Sequence, residues 1–386
     1  MHEYRKVRCV IKRGGTSKGV FLHEADLPPD PGCRDRTILA IFGSPDRRQI
    51  DGLGGADPLT SKVAIIRKST RDDADVDYTF GAVGIEAAIV DYRGNCGNLS
   101  AAVGPFAIDE GLVQPTGATT RVRIFNTNTG KILIADVRTD RGQTVYVGDS
   151  RIDGVPGTSA PIALDYSASA GSVTGKLLPT GSVVEEIAVT GVGSVRVSII
   201  DAGNPMCFLR AEAIGLVGCE PPDDPAVLAR LDLIEEIRAA AAVRIGMIDR
   251  ADRARHVIPA VPMLTLVAPS CDYPSYADGR SIAKEDMSFV ARQFYMQQMH
   301  KTFAGTGTVS TGAAARIQGT VVNEVMADSS ARAGTVRIGH PSGVVPIEVE
   351  IAGAGSASIL RKAAFNRTAR RIMEGFVYVS RTAFGD

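Results

Sequence analysis

The chain has 386 residues, 44% hydrophobic and 22% charged, with 43 basic and 43 acidic side chains and no net charge. That length and balance describe a globular protein of about two domains. No basic block is present to neutralise phosphates, no apolar run approaches the ~18 residues of a membrane span, and tryptophan is absent, so nucleic acid, membrane and stacked-base partners are not expected.

Taken in chain order, most segments read as strands. The start, MHEYRKVRCVIKRGG, lacks the apolar core of a signal peptide, and VRCVIKR (7–13) is the first expected strand. YTFGAV (78–83) follows, then an Ala-rich helix over GNLSAAVGPFAIDEG (97–111). Strands are expected at 120–128, 131–139, 144–148 and 187–203, all rich in Val, Ile and Thr and broken by Gly, Asn and Asp. Asp224-Pro225 opens a helix through Met247, with proline in the first turn. SIAKEDMSFVARQFYMQQMH (281–300) reads as another helix, and GTGTVSTGAAARIQG (305–319) as a short buried one. Residues 335–353 return to strand. The six cysteines show no CxxC spacing, which predicts a reduced, cytoplasmic protein without structural zinc; the five other than Cys96 read as packing residues.

Two of these segments match each other. Without a gap, Cys96 falls on Ala304, Gly97 on Gly305, Asn98 on Thr306 and Gly111 on Gly319. Both open with Gly and polar residues, run through Ala and Ser, and close on a glycine suited to a C-cap, after which a strand is expected. The match predicts a two-fold internal repeat, each half wrapping strands around a central helix whose N–H groups would favour an anion.

This repeat resembles the diaminopimelate epimerase fold, in which each half carries a CGxG loop opening a central helix. Within that fold the chain is similar to the PrpF-type isomerases through RGGTSKGVFL (13–22), GSPDRRQIDGLGGADPLTSKVAII (43–66), NCGNLSAAVGPFAIDEGLV (95–113), IDGVPGTSAPI (152–162), GKLLPTG (175–181), DAGNPMCFLRA (201–211) and the stretch from MHKTFAGTG to QGTVVNE (299–324). The group includes 2-methylaconitate cis-trans isomerases, 3-methylitaconate Δ-isomerases and 4-oxalomesaconate tautomerases. The resemblance implies an α+β fold of two pseudo-symmetric halves, each a barrel-like sheet around a helix, with the active site in the cleft between them. The halves are expected at 1–185 and 186–371, with a last strand at about 372–386 crossing back. A homodimer is compatible with such a fold.

Cys96, among glycines and asparagines at a helix start, reads either as an acid/base thiol or as a small buried hydrophobe; a free thiol titrates near ~8.5, and a helix N-terminus favours its thiolate. Lys62 reads either as a surface lysine or as a desolvated amine. The resemblance implies that both are catalytic. Ala304 stands where the epimerases hold a second cysteine, so a two-thiol racemase mechanism is excluded there, and Lys62 replaces it as partner. Thr16 and Ser17, in GGTSKG, are expected to donate to a carboxylate; the order Ser-Lys does not fit a P-loop. Gly97, Asn98, Gly305, Thr306, Gly307 and Thr308 would line the two helix starts, and Asn204 in GNP and His300 join them as candidate binding residues. Asp51 and Asp57 read as turn residues.

These readings lead to a cofactor- and metal-independent isomerase of small unsaturated di- or tricarboxylates, working by proton transfer at carbon. HKTFAGTG inclines the resemblance toward methylaconitate. A tautomerase of 4-oxalomesaconate, a non-catalytic carboxylate-binding accessory protein for a dehydratase, and an amino-acid racemase stand as alternatives.

Overall fold

The computed structural model describes residues 3–190, 192–326 and 334–385. The chain divides into two compact units. One comprises Met1–Arg151, Gly157–Leu164 and Arg367–Asp386, and the other Ile152–Pro156 and Asp165–Asn366. Residues 165–185, expected in the first half, therefore belong to the second unit, and the 22-residue strand Ile359–Ser380 begins in the second unit and ends in the first.

In the first unit, the end of that long strand pairs antiparallel with Tyr4–Gly14, which pairs antiparallel with Ser17–His23. Ser17–His23 then runs parallel to Lys62–Lys68, which is antiparallel to Val76–Val83. Val76–Val83 is parallel to Thr119–Asn126, and that strand is antiparallel to Lys131–Asp140. In the second unit Glu185–Val189, Gly193–Asp201, Pro205–Arg210, Met263–Ala268, Phe289–Tyr295, Thr335–His340 and Gly343–Ala352 follow one another in the same order of antiparallel, antiparallel, parallel, antiparallel, parallel and antiparallel pairings. Each unit has its own core, built on Val20, Leu22, Ile38, Phe42 and Val63 in the first and on Ile199, Leu209, Ile237, Leu264 and Phe294 in the second.

The helix of each unit lies on the corresponding strand of its sheet. A Cβ on Gly104 would stand 2.9 Å from the Val137 side chain, and one on Gly312 would stand 2.8 Å from Val349, so bare backbone at these two repeat-related positions sets the depth of packing. The helices differ in continuity. Gly305–Arg316 is unbroken, whereas its counterpart is split into Gly97–Ser100 and Val103–Asp109. Pro105 has no N–H to give Ala101, so the chain tightens at 101–102 and restarts with Phe106 N–H on the Ala102 carbonyl at 3.0 Å; position 313 of the repeat is alanine.

Four other expectations are corrected. Residues 281–300 are not helical; Phe289–Tyr295 is a buried strand between Met263–Ala268 and Thr335–His340, turning back to Gln298–Met299 through Met296 and Gln297, both at positive φ. A tight hairpin turn needs that conformation, but neither residue announces it as Asn-Gly would. The helix from Pro225 breaks after Leu228 and resumes as Leu231–Arg244, with Asp224 capping the first piece through Ala226 N–H. After Gly319 a short helix, Val321–Glu324, replaces the expected strand, because the Thr320 side chain caps it through Asn323 N–H. Finally, Cys219 and Cys271 form a disulfide across 52 positions. Absent CxxC spacing excludes only local pairs, and here the fold of the second unit brings two distant loops together.

Candidate active site

Three first-unit elements converge on one buried cluster. Ser17 opens its strand directly after the turn Gly15-Thr16, Lys62 opens Lys62–Lys68, and Cys96 is the N-cap of Gly97–Ser100. Lys62, Ser17 and Cys96 are 3%, 1% and 6% exposed, so the amine, hydroxyl and thiol meet away from bulk water. Lys62 Nζ donates to Ser17 Oγ at 3.0 Å and to Cys96 Sγ at 3.4 Å. Ser17 Oγ lies 3.7 Å from the sulfur, and Leu99 N–H points at it from 3.4 Å. The sulfur is thus ringed by an amine, a hydroxyl and a backbone N–H, a donor set suited to negative charge.

The turn is pressed onto the helix start. Gly15 has φ +52°, the left-handed region that the first residue of a two-residue Gly-X turn uses. A Cβ there would stand 2.3 Å from Asn98 Oδ1. Asn98 donates through Nδ2 to Thr16 Oγ1 at 3.0 Å and accepts from Arg367 Nε at 2.9 Å, which fixes the orientation of its amide. Arg13 braces the same turn, donating to the Gly15 carbonyl and to Thr368; burial, with Arg370 nearby, pulls its guanidinium down to about 10.

The second unit repeats the scaffold without the reactive groups. Ala304 is the N-cap of Gly305–Arg316 as Cys96 is of its helix. Asn204, in the hairpin between Gly193–Asp201 and Pro205–Arg210, donates to Thr306 Oγ1 at 3.0 Å. The hairpin-to-helix bond is therefore kept, with the asparagine on the hairpin and the threonine on the helix, the reverse of Thr16 and Asn98. Ser100 and Thr308 each turn their hydroxyl back to the N-cap carbonyl, of Cys96 and Ala304 respectively, at 3.0 Å. Thr308 thus serves its own backbone. The strand position corresponding to Lys62, first in the strand parallel to the hairpin, is Met263.

Of the expected residues, Thr16, Ser17, Lys62, Cys96, Gly97 and Asn98 gather in the first unit, with Ser17 against the reactive pair. Asn204, Gly305, Thr306, Gly307 and Thr308 gather at the helix start of the second, and His300 is buried ahead of it, its Nδ1 accepting Thr302 N–H at 3.1 Å. Sequence reasoning passed over Gln293 and Arg367. Gln293 Oε1 accepts Ala304 N–H at 2.8 Å, and a Cβ on Gly307 would meet its amide at 2.1 Å. Neither residue sits in a motif; Gln293 lay within the segment read as helix.

The family described as PrpF protein matches residues 4–380. The chain is 52% identical over 384 residues to the 3-methylitaconate isomerase of Eubacterium barkeri, covering 99% of both chains. A solved structure titled as a methylitaconate-delta-isomerase superposes with a TM-score of 0.79 at 50% identity, covering 99% of this chain and 97% of that one. At the level of fold alone, a hydroxyproline epimerase from Agrobacterium vitis superposes with a TM-score of 0.57 at 12% identity, covering 97% and 93%, which places both units in an epimerase-type architecture. On this similarity along its whole length, the chain belongs to the PrpF family of isomerases.

Proposed function

We propose that this isomerase moves a proton between the two ends of an allylic system in an unsaturated dicarboxylate of the methylitaconate type, with Lys62 and Cys96 as the proton-transfer pair. The observation that carries the reading is the buried contact of Lys62 Nζ and Cys96 Sγ at 3.4 Å, on rigid element ends of one unit. The similarity to a 3-methylitaconate isomerase at 52% identity moves the choice of substrate away from methylaconitate.

In such a substrate the C–H next to both a carboxylate and a C=C is the acidic one. One member of the pair removes that proton, and the charge spreads over the allyl unit into the carboxylate. The other returns a proton to the former methylene carbon, so the double bond shifts by one position and no atom is gained or lost. Because the two groups are neighbours, removal and return occur on the same face of the allyl plane. N–H groups at Gly97 and Asn98, with the Thr16 hydroxyl, are the donors assigned to the enolate-like carboxylate. The absence of thiol and amine at Ala304 and Met263 supports a shift between two carbons over inversion at one.

The test is turnover by the purified protein alone. Incubation with 3-methylitaconate, 2-methylaconitate and 4-oxalomesaconate, followed by ultraviolet absorbance and NMR, is expected to show the fastest conversion for methylitaconate. No conversion of any of them would remove the catalytic reading and leave a carboxylate-binding accessory protein.

A further inference from the structure

Ser17 has a place in the site that a carboxylate donor does not need. Its hydroxyl accepts from Lys62 Nζ at 3.0 Å and faces Cys96 Sγ at 3.7 Å, and it is almost wholly buried between them. A hydroxyl carries one donor and two acceptor sites, so it can accept from nitrogen and give its own proton to sulfur at the same time. Its position is enforced: Gly15 turns the chain at φ +52°, and Gly19, two residues beyond Ser17, runs so close that a Cβ there would stand 2.7 Å from the Lys62 carbonyl.

We infer that Ser17 is a positioning residue that holds the amine and the thiol in register and carries the proton that resets them between turnovers. The inference rests on the reading above. When two different groups remove and return a proton, a turnover leaves their protonation states exchanged. If Lys62 has taken the proton and Cys96 has given one, the pair is left as ammonium and thiolate. Resetting it moves one proton from Lys62 Nζ to Ser17 Oγ while the Ser17 hydroxyl proton passes to Cys96 Sγ. That leaves amine, hydroxyl and thiol, with charge and atoms balanced. The opposite assignment of acid and base runs the same path backwards.

Three proteins test the inference: the wild type, Ser17→Ala and Ser17→Thr. Ser17→Ala is expected to lower kcat about 100-fold, the lower end of what a positioned proton-transfer group contributes, with KM changed by less than about threefold. Ser17→Thr, which keeps the hydroxyl, is expected to recover at least about a tenth of wild-type kcat. A rise in KM at unchanged kcat would overturn the inference and make Ser17 a carboxylate donor; an unchanged kcat at unchanged KM would overturn it as well. A second readout needs no substrate. Alkylation of Cys96 by iodoacetamide, followed at the peptide level by mass spectrometry, is expected to slow about threefold in Ser17→Ala. Losing the donor to sulfur removes thiolate faster than it raises nucleophilicity. If the wild type isomerises none of the acids tested, the functional reading has failed, and alkylation alone decides: an unchanged rate refutes the coupling of Ser17 to the thiol.

Discussion

Lys12 gives the sharpest test of the energetics of the first unit. It lies on Tyr4–Gly14 with no exposed side-chain surface, its Nζ 3.1 Å from Asp109 Oδ2 and 2.7 Å from Tyr146 Oη, and 5.9 Å and 5.3 Å from the centres of the Phe106 and Tyr146 rings. Burial pulls its ammonium from 10.5 down to about 8, against the opposing pull of Asp109. Between those values the unfolded chain binds the proton and the folded chain releases it, so stability from this site rises with pH. The contribution is fully present above 10.5 and is lost as pH falls through about 8. Over pH 7.5 to 10 the site contributes a gain of about 2 kcal/mol, at ~1.36 kcal/mol per pH unit of separation. Other groups titrate in the same range; burial pushes the Cys207 thiol up to about 12, which erodes stability as pH rises past the ordinary thiol range. The comparison is therefore between the wild type and Lys12→Met, each unfolded in urea and followed by far-ultraviolet circular dichroism. The wild type is expected to gain about 2 kcal/mol on the variant from pH 7.5 to pH 10. A difference independent of pH would refute the reasoning, because it would mean that Lys12 titrates alike in both states.

Two further outcomes follow from local geometry. Gly15→Ala places a Cβ on a left-handed residue, costing roughly 1–2 kcal/mol, and drives it into the Asn98 amide, loosening a bond from Arg367 worth about 1–3 kcal/mol; an unchanged urea midpoint would mean that the turn does not press on the helix start. Cys219→Ser is expected to lower stability by about 2–4 kcal/mol, since the disulfide closes a loop across 52 positions, and the same loss on reducing the wild type with a thiol would assign the effect to the bond and not to packing.

Much of the fold was legible in one chain because its signals are local. The Val, Ile and Thr runs at 120–139 and 335–353 alternate with the period of a half-buried strand. The match of residues 96–111 to 304–319 located both helix starts, and with them the N-cap positions of Cys96 and Ala304. What escaped depends on neighbours distant in sequence. FVARQFY is buried on both faces, so it shows no alternation, and its turn carries no glycine. The break before Pro105 is a local effect that an Ala-rich pattern masked. At the site, Cys96 and Lys62 were reached through resemblance to a family; composition and spacing left each of them with an ordinary alternative. Ser17 was reached too, but as a carboxylate donor, because its contact with the pair depends on strands that begin 45 residues apart. Arg367 and Gln293 hold the two helix starts from strands with no motif, so no pattern in the chain announces them.

The central claim is that Lys62 and Cys96 together move a proton between two carbons. Its most direct test is the isomerisation of 3-methylitaconate in D2O, followed by proton NMR, with wild type, Lys62→Ala and Cys96→Ala compared at equal concentrations of folded protein. The account predicts that the wild type places one deuterium in the newly formed methyl group, and that each variant loses both conversion and exchange by at least about 10³-fold. Exchange at the wild-type rate in either variant would contradict it.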